Sequence, residues 1–180
     1  EKGKKNTMTT RLRNAIDRTL GVMVQQNRER MNYLERFEEL VAEYNNGSRN
    51  VEDFFAELMK LAQDLQNEKQ RHMREDLSEE ELAIYDLLMK PQVKLTAADE
   101  KKIKAAVREM LALLKEEKLV LDWRKYQQRR AAVRVTIKRE LDDALPAVYT
   151  REMYEKACSA VYEHVYEAYY GEGRSLYAQQ

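Results

Sequence analysis

The chain has 180 residues, enough for one domain with a real core or for two small helical lobes. Its 5 Gly and 2 Pro amount to about a third of the usual share, and 36% of its residues are charged, which argues against a loop-rich or collagen-like chain and for long helices. A single cysteine, Cys158, excludes an internal disulfide framework. With no membrane-length apolar run and no signal-peptide pattern, the expectation is a cytoplasmic chain.

The formal net charge is zero, but the charge is segregated along the chain. Residues 35–81 carry 14 acidic and 6 basic side chains, whereas residues 101–139 carry 4 acidic and 13 basic ones, so the molecule is expected to be electrically polarised. The chain opens on Glu1 and a stretch, EKGKKNT, without helical pattern, and it reads as a piece of a larger protein.

From Met8 to Tyr44 apolar residues recur at helical spacing through Leu12, Ile16, Leu20, Met23, Met31, Leu34, Phe37 and Val41. The pattern lapses at Asn27, and the expectation is one very long helix or two collinear ones. The stretch YNNGS at 44–48 predicts a turn, because Asn and Gly tolerate left-handed backbone at a helix end. A second helix follows with Val51, Phe54, Phe55, Leu58, Leu61, Ala62 and Leu65 on one face, and the pair reads as a long antiparallel hairpin over 1–76. Residues 66–76 are polar apart from Met73 and read as a solvated helix end or a linker.

A compact bundle of shorter helices is predicted over 77–171, with 172–180 as a tail, for an all-α fold of about six helices. Ser78 and Glu81 have capping-box spacing, Leu77 and Leu82 staple spacing, and Pro91 stops the helix. Thr96 and Asp99 open a fourth helix with Ile103, Val107, Met110, Leu111 and Leu114 as its core face. After the apolar Leu119–Trp123 run, Asp122 is expected to cap a fifth helix reaching about Ala144, with Trp123, Tyr126, Val133, Ile137, Leu141 and Ala144 as its buried stripe. Thr150 should cap a sixth, flanked by Tyr149 and Tyr154 and ending near Tyr170. Leu119–Leu121 is the one stretch open to a strand reading.

Several words recur together in the second half: LSEEELAIYDLL at 77–88, LVLDWR at 119–124, RAAVRVTI at 130–137 and LPAVYTREMYEKACSAVYEHVYEAYYG at 145–171, preceded by EYNNGSRNVEDFFAEL at 43–58. Over roughly Tyr33–Gly171 the chain resembles the C-terminal helical region of the type I restriction endonuclease R (motor) subunit. That resemblance implies a noncatalytic helical module docking the motor subunit on the methyltransferase and specificity subunits. ATP, magnesium and the duplex DNA that is translocated and cut would be handled by the parent protein. No such cofactor is expected in this chain.

The residues agree with a noncatalytic reading. No phosphate-cradling GxxxxGK[ST] loop occurs, and Glu116 with Lys118, the nearest match to a nuclease Glu-x-Lys, sits among alternating charges at a helix end. His72 and His164 lack ligands at metal spacing, and Cys158 falls beside Val161 and Val165 as a buried thiol.

The most informative segment is the fifth helix. It carries Arg124, Lys125, Arg129, Arg130, Arg134, Lys138 and Arg139, with no acid between Asp122 and Glu140. Three uses are open for these cations: ion pairs of Arg130 and Arg134 with the acidic hairpin, nonspecific contact with double-stranded DNA phosphates, or docking on an acidic partner. Trp123, Tyr162, Tyr166, Tyr169 and Tyr170 are interface candidates, because one helix face cannot bury so many aromatics. A free-standing coiled-coil adaptor is a third functional class, weakened by the lapse of the repeat at Asn27.

Overall fold

The computed structural model describes residues 2–178. Contacts divide the chain into two units, residues 1–76 and residues 77–180.

The first unit contains α1 (Lys2–Gln26), α2 (Met31–Asn45), α3 (Val51–Lys69) and a single turn, α4 (Arg71–Arg74). Helix begins at Lys2, within the stretch expected to lack it. α1 and α2 are not collinear. Lys5 near the start of α1 pairs with Glu52 at the start of α3, at 3.7 Å. Arg13, Asn14 and Asp17 share a crevice with Phe37, Val41 and Asn45 at the far end of α2. The chain therefore runs up, down and up as a three-helix bundle, which replaces the expected long hairpin.

The reversal happens at Asn27, which is extended (φ −152°, ψ 105°) and caps the short 3-10 turn Arg28–Arg30 by accepting from Glu29 N. It is held by a buried charge network. Arg30, 2% exposed, donates Nε to Glu68 Oε1 at 3.0 Å, and Arg71 closes on the same carboxylate. Met8 and Met31 are exposed, while Ile16, Leu20, Met23, Phe37, Leu40, Phe54, Leu58, Leu61 and Leu65 form the core. At the other end the YNNGS turn forms as expected: Gly47 has φ +80°, Tyr44 stacks on Phe54 at 4.4 Å, and Asn50 caps α3.

The second unit contains α5 (Glu79–Met89), α6 (Ala97–Leu113), α7 (Gln127–Ala144), α8 (Arg151–Ala168) and a two-stranded antiparallel hairpin, β1 (Tyr169–Gly171) and β2 (Arg174–Ser175). Local chemistry sets the helix starts. Ser78 with Glu81 and Thr96 with Asp99 form complete capping boxes, and Thr150 accepts from Met153 N. The expected faces are buried: Leu82, Tyr85 and Leu88 of α5, Ile103, Val107, Met110 and Leu111 of α6 with Leu114 just beyond it, and Val133, Ile137, Leu141 and Ala144 of α7.

α6 overruns into a π turn, Leu114–Lys118, closed by Leu119 N donating to Leu114 O at 2.8 Å. The fifth predicted helix does not start at Asp122. That residue adopts φ +55° within successive turns, and α7 opens four residues later behind Tyr126. Leu119–Leu121 forms no strand. The strands lie instead at 169–175, where α8 stops at Ala168 and the expected tail folds back. No helix among the described residues is long and apolar enough to cross a membrane.

Candidate interaction surface on the second unit

Trp123 is the pivot. Its indole is fully buried in the core of the second unit, and Nε1 donates to Tyr169 O at 3.1 Å. Tyr162 and Tyr166 meet it edge-on at 6.5 and 5.8 Å. Trp123 is therefore core and cannot serve as a contact residue. The same correction applies to Tyr169, 3% exposed, whose hydroxyl donates to Glu80 Oε1 at 3.0 Å. Burial, reinforced by that carboxylate, pushes its phenol far above the ordinary range, so it stays a neutral donor. Lys115 holds the other side of Glu80 at 3.0 Å. The aromatic surplus is real, but its outer members are Tyr162, Tyr166 and Tyr170.

These three tyrosines recur every four residues and carry the arginines. Arg124 lies 5.5 Å from the ring centre of Tyr166 and 5.1 Å from that of Tyr170, and it donates Nη1 to Tyr166 O at 3.3 Å. Arg134 lies 4.2 Å from the ring centre of Tyr162. Arg129 covers Tyr126 at 4.6 Å and donates to Leu121 O at 2.6 Å, while Arg130 donates to Arg124 O at 2.6 Å. Arg130 and Arg134 thus find partners inside the second unit: a carbonyl and a ring. Lys125 pairs with Asp122 at 3.0 Å and Arg139 with its neighbour Glu140 at 3.1 Å. Lys138 is exposed and lines a groove with Arg134, Cys158, Ser159, Tyr162 and Glu163.

A guanidinium over a tyrosine ring keeps its charge and most of its donors, so these stacks are fixed in direction without being neutralised. Tyr126, expected in the buried stripe, is 55% exposed, because the late start of α7 leaves it in the preceding loop. Val120 and Leu121 are 39% and 47% exposed. In this apolar run Leu119 and Trp123 take the inward positions, which leaves Val120 and Leu121 outside.

Cys158 is buried, and burial raises its thiol above the usual value, which disfavours the thiolate. Burial also pushes the Tyr154 phenol up to about 12, with a contribution from its hydrogen bond to Cys158. Among the described residues no group of three or more His, Cys, Asp and Glu side chains is arranged to hold a metal ion.

The described residues define an all-α domain, with one small hairpin, whose distinctive surface is an array of arginines and tyrosines. Residues 1–170 match the family model described as the C-terminal part of type I restriction enzyme HindI endonuclease subunit-like proteins. The chain belongs to that family. No curated protein and no solved structure matches it.

Proposed function

We propose that this chain is a noncatalytic assembly module that holds a type I restriction motor subunit on the methyltransferase and specificity subunits of its complex. ATP and magnesium would belong to other parts of the motor subunit. The observation supporting this reading is the Arg–Tyr array on α7 and α8: Arg124 against Tyr166 and Tyr170, and Arg134 against Tyr162. Arginine and tyrosine are the residues enriched where protein interfaces concentrate their energy, and prior stacking lowers the entropy lost on binding.

The test is association of the chain with the purified methyltransferase–specificity core. The Arg124→Ala, Arg134→Ala double variant should bind at least about tenfold more weakly, with helicity retained. Unmutated chain that fails to associate with the core would overturn the assembly reading.

A second reading is supported by the density of cations, seven between residues 124 and 139. In it the chain is a nonspecific DNA-backbone module, and duplex affinity falls steeply with salt as counterions are released. Substituting Lys138 and Arg139 with Gln should then reduce both affinity and salt slope. Duplex binding that is undetectable at low salt would remove this alternative.

A further inference from the structure

The loop from Leu119 to Tyr126 is tied down along its length. Leu119 and Trp123 are its buried anchors, 4% and 0% exposed, and Val120, Leu121 and Tyr126 point outward. Three contacts from the C-terminal hairpin hold it from beneath: Glu172 N donates to Leu119 O at 2.9 Å, Trp123 Nε1 reaches Tyr169 O, and Gly171 lies against the Val120 carbonyl. A Cβ at Gly171 would come within 2.5 Å of Val120 O, so the close approach depends on glycine. From α7, Arg129 ties Leu121 O and covers Tyr126, and Arg130 ties Arg124 O. An irregular segment this heavily restrained presents its apolar side chains in one geometry before any partner arrives.

We infer that this loop is the point at which the module grips its partner, and that the occupant is a protein surface with an apolar depression bordered by carboxylates. The inference rests on the assembly reading and specifies its contact. Val120, Leu121 and Tyr126 supply the apolar part, and the same loop and the start of α7 bring Arg124, Lys125, Arg129 and Arg130, against Asp122, which Lys125 already pairs, and Glu172 of the hairpin. Charge complementarity therefore asks for acids on the other side. A DNA backbone fits less well, because it offers phosphates to the cations and no apolar pocket for Val120 and Leu121. Restraint in advance serves a docking anchor, since the ordering cost is met in folding.

The experiment uses the full-length motor subunit and the purified methyltransferase–specificity core of the same system. Leu121→Ser combined with Tyr126→Ser removes the apolar contact while leaving Leu119 and Trp123 in place, and serine at 126 suits the helix start. The expected result is a loss of about 30-fold in affinity for the core with an unchanged thermal melt. Val135→Ser, at a residue 62% exposed on α7, serves as the control and should change nothing. Lys125→Glu should weaken binding further and flatten its salt dependence.

Full affinity in the Leu121→Ser, Tyr126→Ser variant, with the unmutated subunit still binding, would overturn the inference and leave the assembly reading intact. No binding by the unmutated subunit would defeat both. A variant that loses self-association or duplex binding while core affinity is kept would also overturn it, naming a second copy or DNA as the occupant.

Discussion

In the first unit three helices of 25, 15 and 19 residues carry the fold, and the reversal between the first two is held by a buried Arg30–Glu68 pair 38 positions apart in the chain. In the second unit no helix exceeds 18 residues, and α5, α6 and α8 each start on a hydroxyl side chain that caps them locally. The first unit buries a charged contact, distant in sequence, at its reversal. The second starts three of its helices from neighbouring residues and places long-range contacts on one irregular loop. A substitution should therefore act through the buried pair in one unit and through the loop or the caps in the other.

The sharpest break in the second unit is Trp123→Ala. It removes the largest fully buried side chain and leaves the Tyr169 carbonyl without its donor, and the expected loss is about 3 to 5 kcal/mol by denaturant unfolding. A loss under about 1 kcal/mol would mean the loop has no anchor there.

In the first unit Arg30→Ala should cost about 3 kcal/mol, because Glu68, 7% exposed, would keep only the more exposed Arg71. The double variant Arg30→Met, Glu68→Leu should recover most of that stability, since a buried ion pair contributes little beyond what packing can replace. Failure of the double variant to recover would show that the pair specifies the reversal itself, and a changed helix arrangement would be visible in its NMR spectrum.

Gly171→Ala places a Cβ against the Val120 carbonyl at φ +100°, and about 2 kcal/mol of destabilisation is expected. Hydrogen exchange should rise at residues 119–123 and not in the first unit. Thr96→Ala removes one half of a capping box and should cost about 1 kcal/mol, with fraying confined to the start of α6.

The smallest effect is a pH dependence. Hydrogen bonds from the Thr96 backbone and side chain hold the Asp99 carboxyl below its usual 3.8, and the Lys156 contact holds Glu152 below 4.5. A lowered folded pKa stabilises above the unfolded value and is lost as pH falls through the folded one, so this contribution disappears below about pH 4. Asp99→Asn should flatten that acid limb in thermal melts. An unchanged limb would assign acid sensitivity to other carboxylates.

The starts of α5, α6 and α8 are legible because capping is local: Ser78 and Glu81, or Thr96 and Asp99, meet within one turn whatever surrounds them. The seven cations and the tyrosine surplus were legible as composition, but their roles were not. Trp123 belongs to the expected buried stripe as well as to the interface candidates, and only the buried place is realised; Tyr169, an interface candidate, is buried, and Tyr126 is exposed because α7 starts four residues later than the capping pattern at Asp122 suggests. Asp122 has a capping side chain, yet its backbone is held left-handed by the turns around it, a state that Asp tolerates and a sequence pattern does not report. The hairpin at 169–175 is not legible because strands of three and two residues have no readable alternation.

By itself the sequence determined a mostly helical chain with charge segregated along its length, and the capped starts of α5, α6 and α8 and the turn at YNNGS, which are set by side chains and glycine acting on nearby backbone. The tertiary structure alone decided that the chain reverses at Asn27, that the Trp123 loop is pinned from below, and which arginines face rings, carbonyls or solvent. Those outcomes depend on residues 38 to 89 positions apart in the chain, as in Arg30–Glu68, Trp123–Tyr169 and Tyr169–Glu80. Periodicity cannot register such pairs, because it records which side of a helix is apolar and not what that side will meet.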